Sequence, residues 1–288
     1  HPRLTSCLVG RPRAAYLWAM RIPVVSRLLS RKPRVAVIRL SGTIGGAGRG
    51  GGLNDAALAP VIERAFRRGK PLAVALIINS PGGSPVQSSL IAARIRRLAD
   101  ETDIPVHAFV EDVAASGGYW LACAADDIWA DESSILGSIG VISAGFGFDQ
   151  LIQRWGIERR VHTAGTSKST LDPFRPQDPD DVARLHAILE PIHQAFKDHV
   201  RAHRGTRLNA ERDLFTGEFW AGLESVRLGL ADGIAHPVPR LKALYGDKIR
   251  FEVHGMRRPL LRRLGLSADL LMDAAEDRAA FQRFGTRG

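Results

Sequence analysis

In Leu72-Ala73-Val74-Ala75-Leu76-Ile77-Ile78-Asn79-Ser80-Pro81-Gly82-Gly83 a short apolar run, β-branched at its end, stops at a cluster of turn formers. That pattern is a buried strand closed by a turn. Pro81 and the paired glycines end the strand and leave backbone N–H groups free, and Ser84 is placed to cap a helix running from Pro85 to about Leu98. Outward from this unit the order of strand and helix recurs with short connections. Strands are expected over 35–40, 106–110, 128–130, 139–143 and 159–163, and helices over 55–67 and 149–155. A long helix over 179–204, which Pro191 should bend, precedes short helices within 208–230. Strands and helices alternating in this way predict an α/β fold with a mostly parallel sheet wrapped by helices.

A second turn, Ala115-Ser116-Gly117-Gly118-Tyr119, follows the strand expected over 106–110. It puts a serine before two glycines at the start of an expected helix, where a nucleophile gains exposure and a dipole that favours developing negative charge. The glycines let a substrate carbonyl approach the main chain closely. The Pro81-Gly82-Gly83 turn can aim amides at an oxyanion, where acyl transfer needs preorganised donors. Either turn alone would be an ordinary joint between strand and helix. Together they outline the two halves of an acyl-transfer site.

Asn79 to Gly83, Ala115 to Tyr119, Leu136-Gly137-Ser138-Ile139-Gly140-Val141, and Thr163-Ala164-Gly165 with Lys168 occur in the order seen in signal peptide peptidase A and its SohB-like relatives. The chain resembles that family over roughly residues 33–239. The resemblance implies a crotonase/Clp-protease-like fold, a repeated β-β-α superhelix with a helical oligomerisation extension, and a Ser-Lys catalytic pair. It implies Ser116 as nucleophile, Lys168 as general base and Ser138 as the hydroxyl that orients the lysine. Gly83 and Gly117 would supply the oxyanion-hole amides, and neither cofactor nor metal is implied.

The chemistry of the residues agrees with those roles. A serine hydroxyl is a poor nucleophile until a neighbouring base takes its proton, and Ser-Lys pairs are one solution besides Ser-His-Asp. Only six of the 40 basic residues are lysines, so a site wanted for charge alone would more often hold arginine, which cannot usefully be deprotonated. A histidine base has less support: none lies between Ser116 and His162, and His107 falls inside a strand, where a satisfied structural histidine is expected. His199 and His203 are four apart on a helix without a third ligand signalled. The Gly-rich run from Gly45 to Gly52 formally contains a dinucleotide pattern, but the following strand ends in Asn79 and Ser80 where an acidic ribose ligand would be wanted. A loop over or beside the active-site mouth is the expectation there.

At 288 residues the chain suits one elaborated α/β domain with additions at both ends: a basic extension over 1–32, a peptidase domain over 33–240 and a helical tail over 241–288. Cys7 and Cys123 do not suggest a disulfide framework. The net charge of +10 gathers at the ends. Residues 1–34 hold seven arginines and Lys32 without one acidic residue, and Arg257, Arg258, Arg262 and Arg263 repeat the theme. No nucleic-acid motif accompanies these patches, which fit peripheral contact with an anionic membrane better. The apolar stretch over 14–29 is broken by Arg21, Pro23 and Arg27, short of the roughly 20 residues a bilayer requires, so it either lies in the interface or is an irregular extension. Family members often carry an N-terminal anchor, and this stretch departs from that pattern.

Residues and resemblance together lead to an ATP-independent serine endopeptidase, and the resemblance implies apolar peptide substrates such as remnant signal peptides or membrane-protein fragments. A homo-oligomer, located peripherally at a bacterial inner membrane or in the cytoplasm, is expected from the resemblance. Two other classes stay open: a crotonase-like hydratase or hydrolase of acyl-thioesters, and a catalytically silent scaffold at the membrane.

Overall fold

The computed structural model describes residues 33–45, 52–165, 167–255 and 278–285. The basic extension over 1–32, the glycines over 46–51 and most of the arginine-rich tail lie outside them, together with the expectations placed there. The described strands are β1 (Arg34–Ser41), β2 (Ala73–Ser80), β3 (Val106–Ala115), β4 (Asp127–Ala130), β5 (Ile135–Gly137), β6 (Phe219–Ala221), β7 (Gly233–Ile234) and β8 (Arg250–His254). The helices are α1 (Asp55–Arg67), α2 (Pro85–Thr102), α3 (Gly117–Ala122), α4 (Asp149–Arg154), α5 (Pro179–Arg204), α6 (Gly222–Arg227) and α7 (Pro237–Tyr245).

The sheet runs β6-β5-β3-β2-β1-β8, with β4 paired to β3 and to β7. Every pairing is parallel except β5 with β6. The continuous apolar run in β2 follows from burial on both faces, the usual condition of parallel strands. Val74, Leu76 and Ile78 enter the larger core with Ile38, Leu40, Val106 and Ala108, whereas Ala73, Ala75 and Ile77 face a smaller one with Val35, Val37 and Leu241 of α7. Helices α1 and α2 close the larger core with Leu58, Ile62, Phe66, Ile91, Ile95 and Leu98. Each starts where the sequence supplies a cap: Asn54 Oδ1 accepts from the Ala57 N–H at 2.9 Å, and Ser84 Oγ accepts from the Gln87 N–H at 3.4 Å.

Several expectations need correction. The strand expected over 139–143 is absent, and the chain instead pairs from four residues earlier, where Ile135, Leu136 and Gly137 face Val113, Ala114 and Ala115. Residues 159–163 form no strand and lie exposed. The segment 208–230 holds β6 and α6 rather than helices alone. The domain boundary at 240 falls inside α7, and β8 joins the sheet edge beside β1, so the α/β unit continues to His254. Neither shift was readable locally, because a short strand is fixed by the neighbour it pairs with.

Candidate active site

Three turns that are far apart in sequence meet at the carboxyl ends of β2, β3 and β5, the end of a parallel sheet where crevices form. Register brings them together: Ser80 pairs with Ala114 and Ala115 with Gly137, so the Asn79–Gly83 turn, Ser116 and Ser138 emerge side by side. The Ser116 N–H donates to the Gly137 carbonyl at 2.8 Å, and the Ser138 N–H donates to the Glu218 carbonyl at 2.6 Å.

Ser116 has φ 52° and ψ −122°, a conformation that L-residues rarely adopt, and it sits half-buried at the N-terminus of α3 without capping the helix through its side chain. Such backbone strain costs on the order of 1–3 kcal/mol and gathers at functional positions. It presents the hydroxyl at the head of the helix rather than folding it onto the first turn. Ser138 is held likewise at φ 52°.

The setting of Gly83 follows from one short bridge. Ile44 pairs with Gly83 in parallel: the Ile44 N–H donates to the Gly82 carbonyl at 2.9 Å, and the Ser84 N–H donates to the Ile44 carbonyl at 2.8 Å. A residue gripped on that edge turns its own N–H to the opposite side. The Gly83 amide therefore faces the head of α3, and a Cβ built on Gly117 would lie 3.4 Å from the Gly83 nitrogen. Gly83 has no room for a side chain, since a Cβ would fall 2.1 Å from the Ile44 carbonyl oxygen. Gly117 has none either, because Ser88 Oγ would lie 2.4 Å away. Two main-chain N–H groups beside one serine hydroxyl form the arrangement that stabilises a tetrahedral oxyanion.

Gly83, Ser116, Gly117 and Ser138 all line one cavity of about 560 Å³, whose walls include Trp120, Ile142 and Phe196. Arg283 and Phe284 line it as well, from the segment 278–285 that covers Val113 and Ala115 with Phe281 and Phe284. Lys168 is not among the lining residues. It is exposed in an arm over 141–178 that is exposed along most of its length, where its loop is fastened by Thr170 Oγ1 donating to the Ser167 carbonyl at 2.6 Å and Ser169 Oγ donating to Asp172 at 3.2 Å. The structure thus brings together four of the five residues singled out from sequence and leaves the fifth on the arm.

Of the other candidate nucleophiles and bases, His107 and Cys123 are buried. His107 is buried with Nδ1 2.8 Å from Asp127 and Nε2 2.7 Å from the Tyr245 hydroxyl. His162 is exposed on the arm with Lys168. Burial pushes the Cys123 thiol up to about 12, which makes it a poor thiolate source. The adjacent Tyr119 hydroxyl is fully buried and donates to the Leu230 carbonyl at 2.9 Å. Residues that sequence reasoning missed are Ser88, whose oxygen backs Gly117, and Ile44, which orients Gly83. Neither carries a motif, because their contribution is a contact across the fold.

A family model described as Peptidase family S49 matches residues 99–237. The chain is 44% identical over 286 residues to a protein of Brucella melitensis biotype 1 named Na(+)/H(+) antiporter NhaA, covering 91% of this chain and 39% of that one. It is 29% identical to the putative signal peptide peptidase SppA of Enterococcus faecium, over 61% of this chain and 51% of the relative. The probable protease SohB of Haemophilus influenzae is also 29% identical, with 68% of this chain and 55% of the relative covered. The chain spans about half, or less, of the length of these curated relatives. The S49 match lying across the Ser116 and Ser138 turns, with relatives named for SppA and SohB, supports a signal peptide peptidase A and SohB-like peptidase family for this chain.

Proposed function

We propose that this chain is a serine endopeptidase that cleaves apolar peptides through an acyl-enzyme formed on Ser116. The observation that carries the reading is the convergence of Ser116, Ser138 and the Gly83 and Gly117 amides on one cavity. Ser116 Oγ attacks the peptide carbonyl carbon, and the carbonyl oxygen, now negative, takes hydrogen bonds from the Gly83 and Gly117 N–H groups. The hydroxyl proton passes to an uncharged amine, for which Lys168 is the candidate, and from it to the departing amine as the C–N bond breaks. Water then attacks the ester with the same base taking its proton, which returns free Ser116 and a carboxylate product.

Lys168 enters this scheme from a second copy of the chain. Its arm projects Phe146 at 81% and Trp155 at 74% exposure, together with Ile142 and Ile157, which is apolar surface suited to a protein neighbour. A homo-oligomer in which the arm of one copy reaches the cavity of the next would supply both cover and base, with Ser138 placed to orient the amine. The progression β1-α1-β2-α2-β3-α3-β4 supports a crotonase/Clp-like fold for the unit. The aromatic and aliphatic cavity walls support apolar substrates such as remnant signal peptides.

The antiporter name belongs to a relative of which this chain matches 39%, and antiport is not carried over. Among the described residues no helix is long and apolar enough to cross a membrane. Peripheral contact with anionic lipid through the basic extension over 1–32 completes the proposal. Its test is Ser116→Ala: peptide hydrolysis should vanish while the melting temperature stays within a few degrees, and normal turnover in that variant would reject the assignment.

A further inference from the structure

Helix α5 touches both halves of the Ser116 site through side chains that the mechanism above does not use. His193 Nε2 lies 3.1 Å from the carbonyl oxygen of Ile139, the residue directly after Ser138. His199 Nε2 lies 3.0 Å from the carbonyl oxygen of Trp120 in α3, the helix that Ser116 begins. A carbonyl only accepts, so in both rings Nε2 carries the hydrogen and donates it. Between these two contacts Phe196 stacks on the Trp120 indole with centroids 4.8 Å apart, and His199 stacks on the same indole at 4.8 Å. The far end of α5 is anchored by buried Arg204, whose Nε and Nη2 donate to the Gly229 carbonyl at 2.9 and 2.8 Å and whose Nη1 pairs with Asp232 at 2.6 Å.

The Ile139 contact matters because no strand or helix holds that segment, whose other main-chain bonds are Ser138 N–H to the Glu218 carbonyl at 2.6 Å and Gly140 N–H to the Ser138 carbonyl at 2.9 Å. Past β5 the chain leaves the sheet, and Ile139 is fully buried. A buried carbonyl without a donor costs about as much as a lost hydrogen bond, and the peptide would turn to find another partner. Turning it would move Ser138, its immediate neighbour.

We infer that His193 and His199 are positioning residues for the Ser116 reaction, fixing from one helix the main chain that carries Ser138 relative to the helix that carries Ser116 and Gly117. The inference rests on Ser116 being the nucleophile. A rigid helix bonded to both parts converts two independent turns into one frame. Displacements of about 1 Å in such a frame cost up to about 100-fold in rate.

The test compares side chains of different reach in the full chain. A glutamine amide nitrogen extends about as far as Nε2 and an asparagine nitrogen only about as far as Nδ1. With a fluorogenic peptide, His193→Leu and His193→Asn should lower kcat at least about tenfold with KM within about twofold, and His193→Gln should stay within about threefold of the parent. The same Gln and Asn pair at His199 reads the Trp120 contact, and exposed His186→Leu on the same helix should change neither constant. Should the leucine variant fail to fold, the Gln and Asn pair decides. Wild-type kcat in a folded Leu or Asn variant, or Gln no better than Asn, overturns the inference. Ser116→Ala assayed in parallel separates the two failures: if it still hydrolyses peptide, the nucleophile is wrong, and if it is dead while His193→Asn is fully active, the positioning role alone is wrong.

Discussion

Gly117→Ala is the substitution whose outcome the geometry constrains most tightly. Gly117 lies in α3 with an ordinary helical backbone, so alanine meets no conformational penalty there and any effect is steric. The new Cβ would stand 2.4 Å from Ser88 Oγ and 3.1 Å from Ile44 Cδ1. The isoleucine methyl can yield a few tenths of an ångström. The serine oxygen cannot, because Ser88 is fully buried and its hydroxyl donates to the Ser84 carbonyl at 2.9 Å. Restoring a normal contact therefore requires α2 and α3 to separate by roughly 1 Å, since nonbonded atoms settle near 3.5 Å. That movement would draw the Gly117 amide off the proposed oxyanion site. Overpacking of this kind costs about 1–3 kcal/mol of stability, and misplacing one oxyanion donor costs about 100-fold or more in kcat. Ser88→Ala removes the one atom closer than 3.0 Å, so the double variant should recover most of the lost stability and much of the lost kcat. Ser88→Ala alone should cost only about 1 kcal/mol, the worth of its hydrogen bond. Denaturant melts and peptide-hydrolysis kinetics on the four proteins complete the cycle. Native kcat in Gly117→Ala, or a double variant no faster than Gly117→Ala, would refute the reasoning.

Lys168→Arg should be nearly as inactive as Lys168→Ala, because arginine keeps the charge but cannot take the serine proton; kcat with a short soluble peptide reads this, and restoration of most of the rate by arginine would remove the base role. Ser138→Ala should lower kcat less than loss of Ser116 or Lys168, since it removes an orienting hydroxyl and leaves both reacting groups; an unchanged rate with a lowered melting temperature would make Ser138 purely structural. His199 is held down to about 4 by burial first and by neighbouring His203 second. Its unfolded form binds a proton below pH ~6.5, so the contribution is complete above that pH and is lost as pH falls towards 4. Thermal melts across that window should therefore drop less steeply for His199→Gln than for the parent, and equal slopes would contradict this.

How much of this was legible in the sequence depended on whether the cause was local. The strand ending at Asn79 and Ser80 and the helix beginning at Pro85 were readable because an apolar run, a Pro-Gly-Gly stop and a serine cap act within a dozen residues. Helix α1 was placed to the residue, over 55–67, and its Asn54 cap and apolar face are the local cause. Strand β5 was misplaced because three residues have no pattern of their own and take their position from Val113–Ala115. Strand β8 was absorbed into an expected helical tail, although its alternation is clear once β1 lies beside it. At the site, Ser116, Gly83 and Gly117 were visible in turns that follow strands, and Ser138 through the family resemblance. Ile44, Ser88 and His193 were not, since each acts on a main-chain group that only the folded chain brings near.

Covalent labelling reads whether Ser116 Oγ is the attacking atom. The full chain is treated with a fluorophosphonate, digested, and mapped by mass spectrometry for the modified residue. The adduct is expected on Ser116, should be lost in Ser116→Ala, and should form more slowly in Lys168→Ala. A protein that hydrolyses peptide yet is modified at another serine, with labelling and turnover both surviving Ser116→Ala, would contradict it.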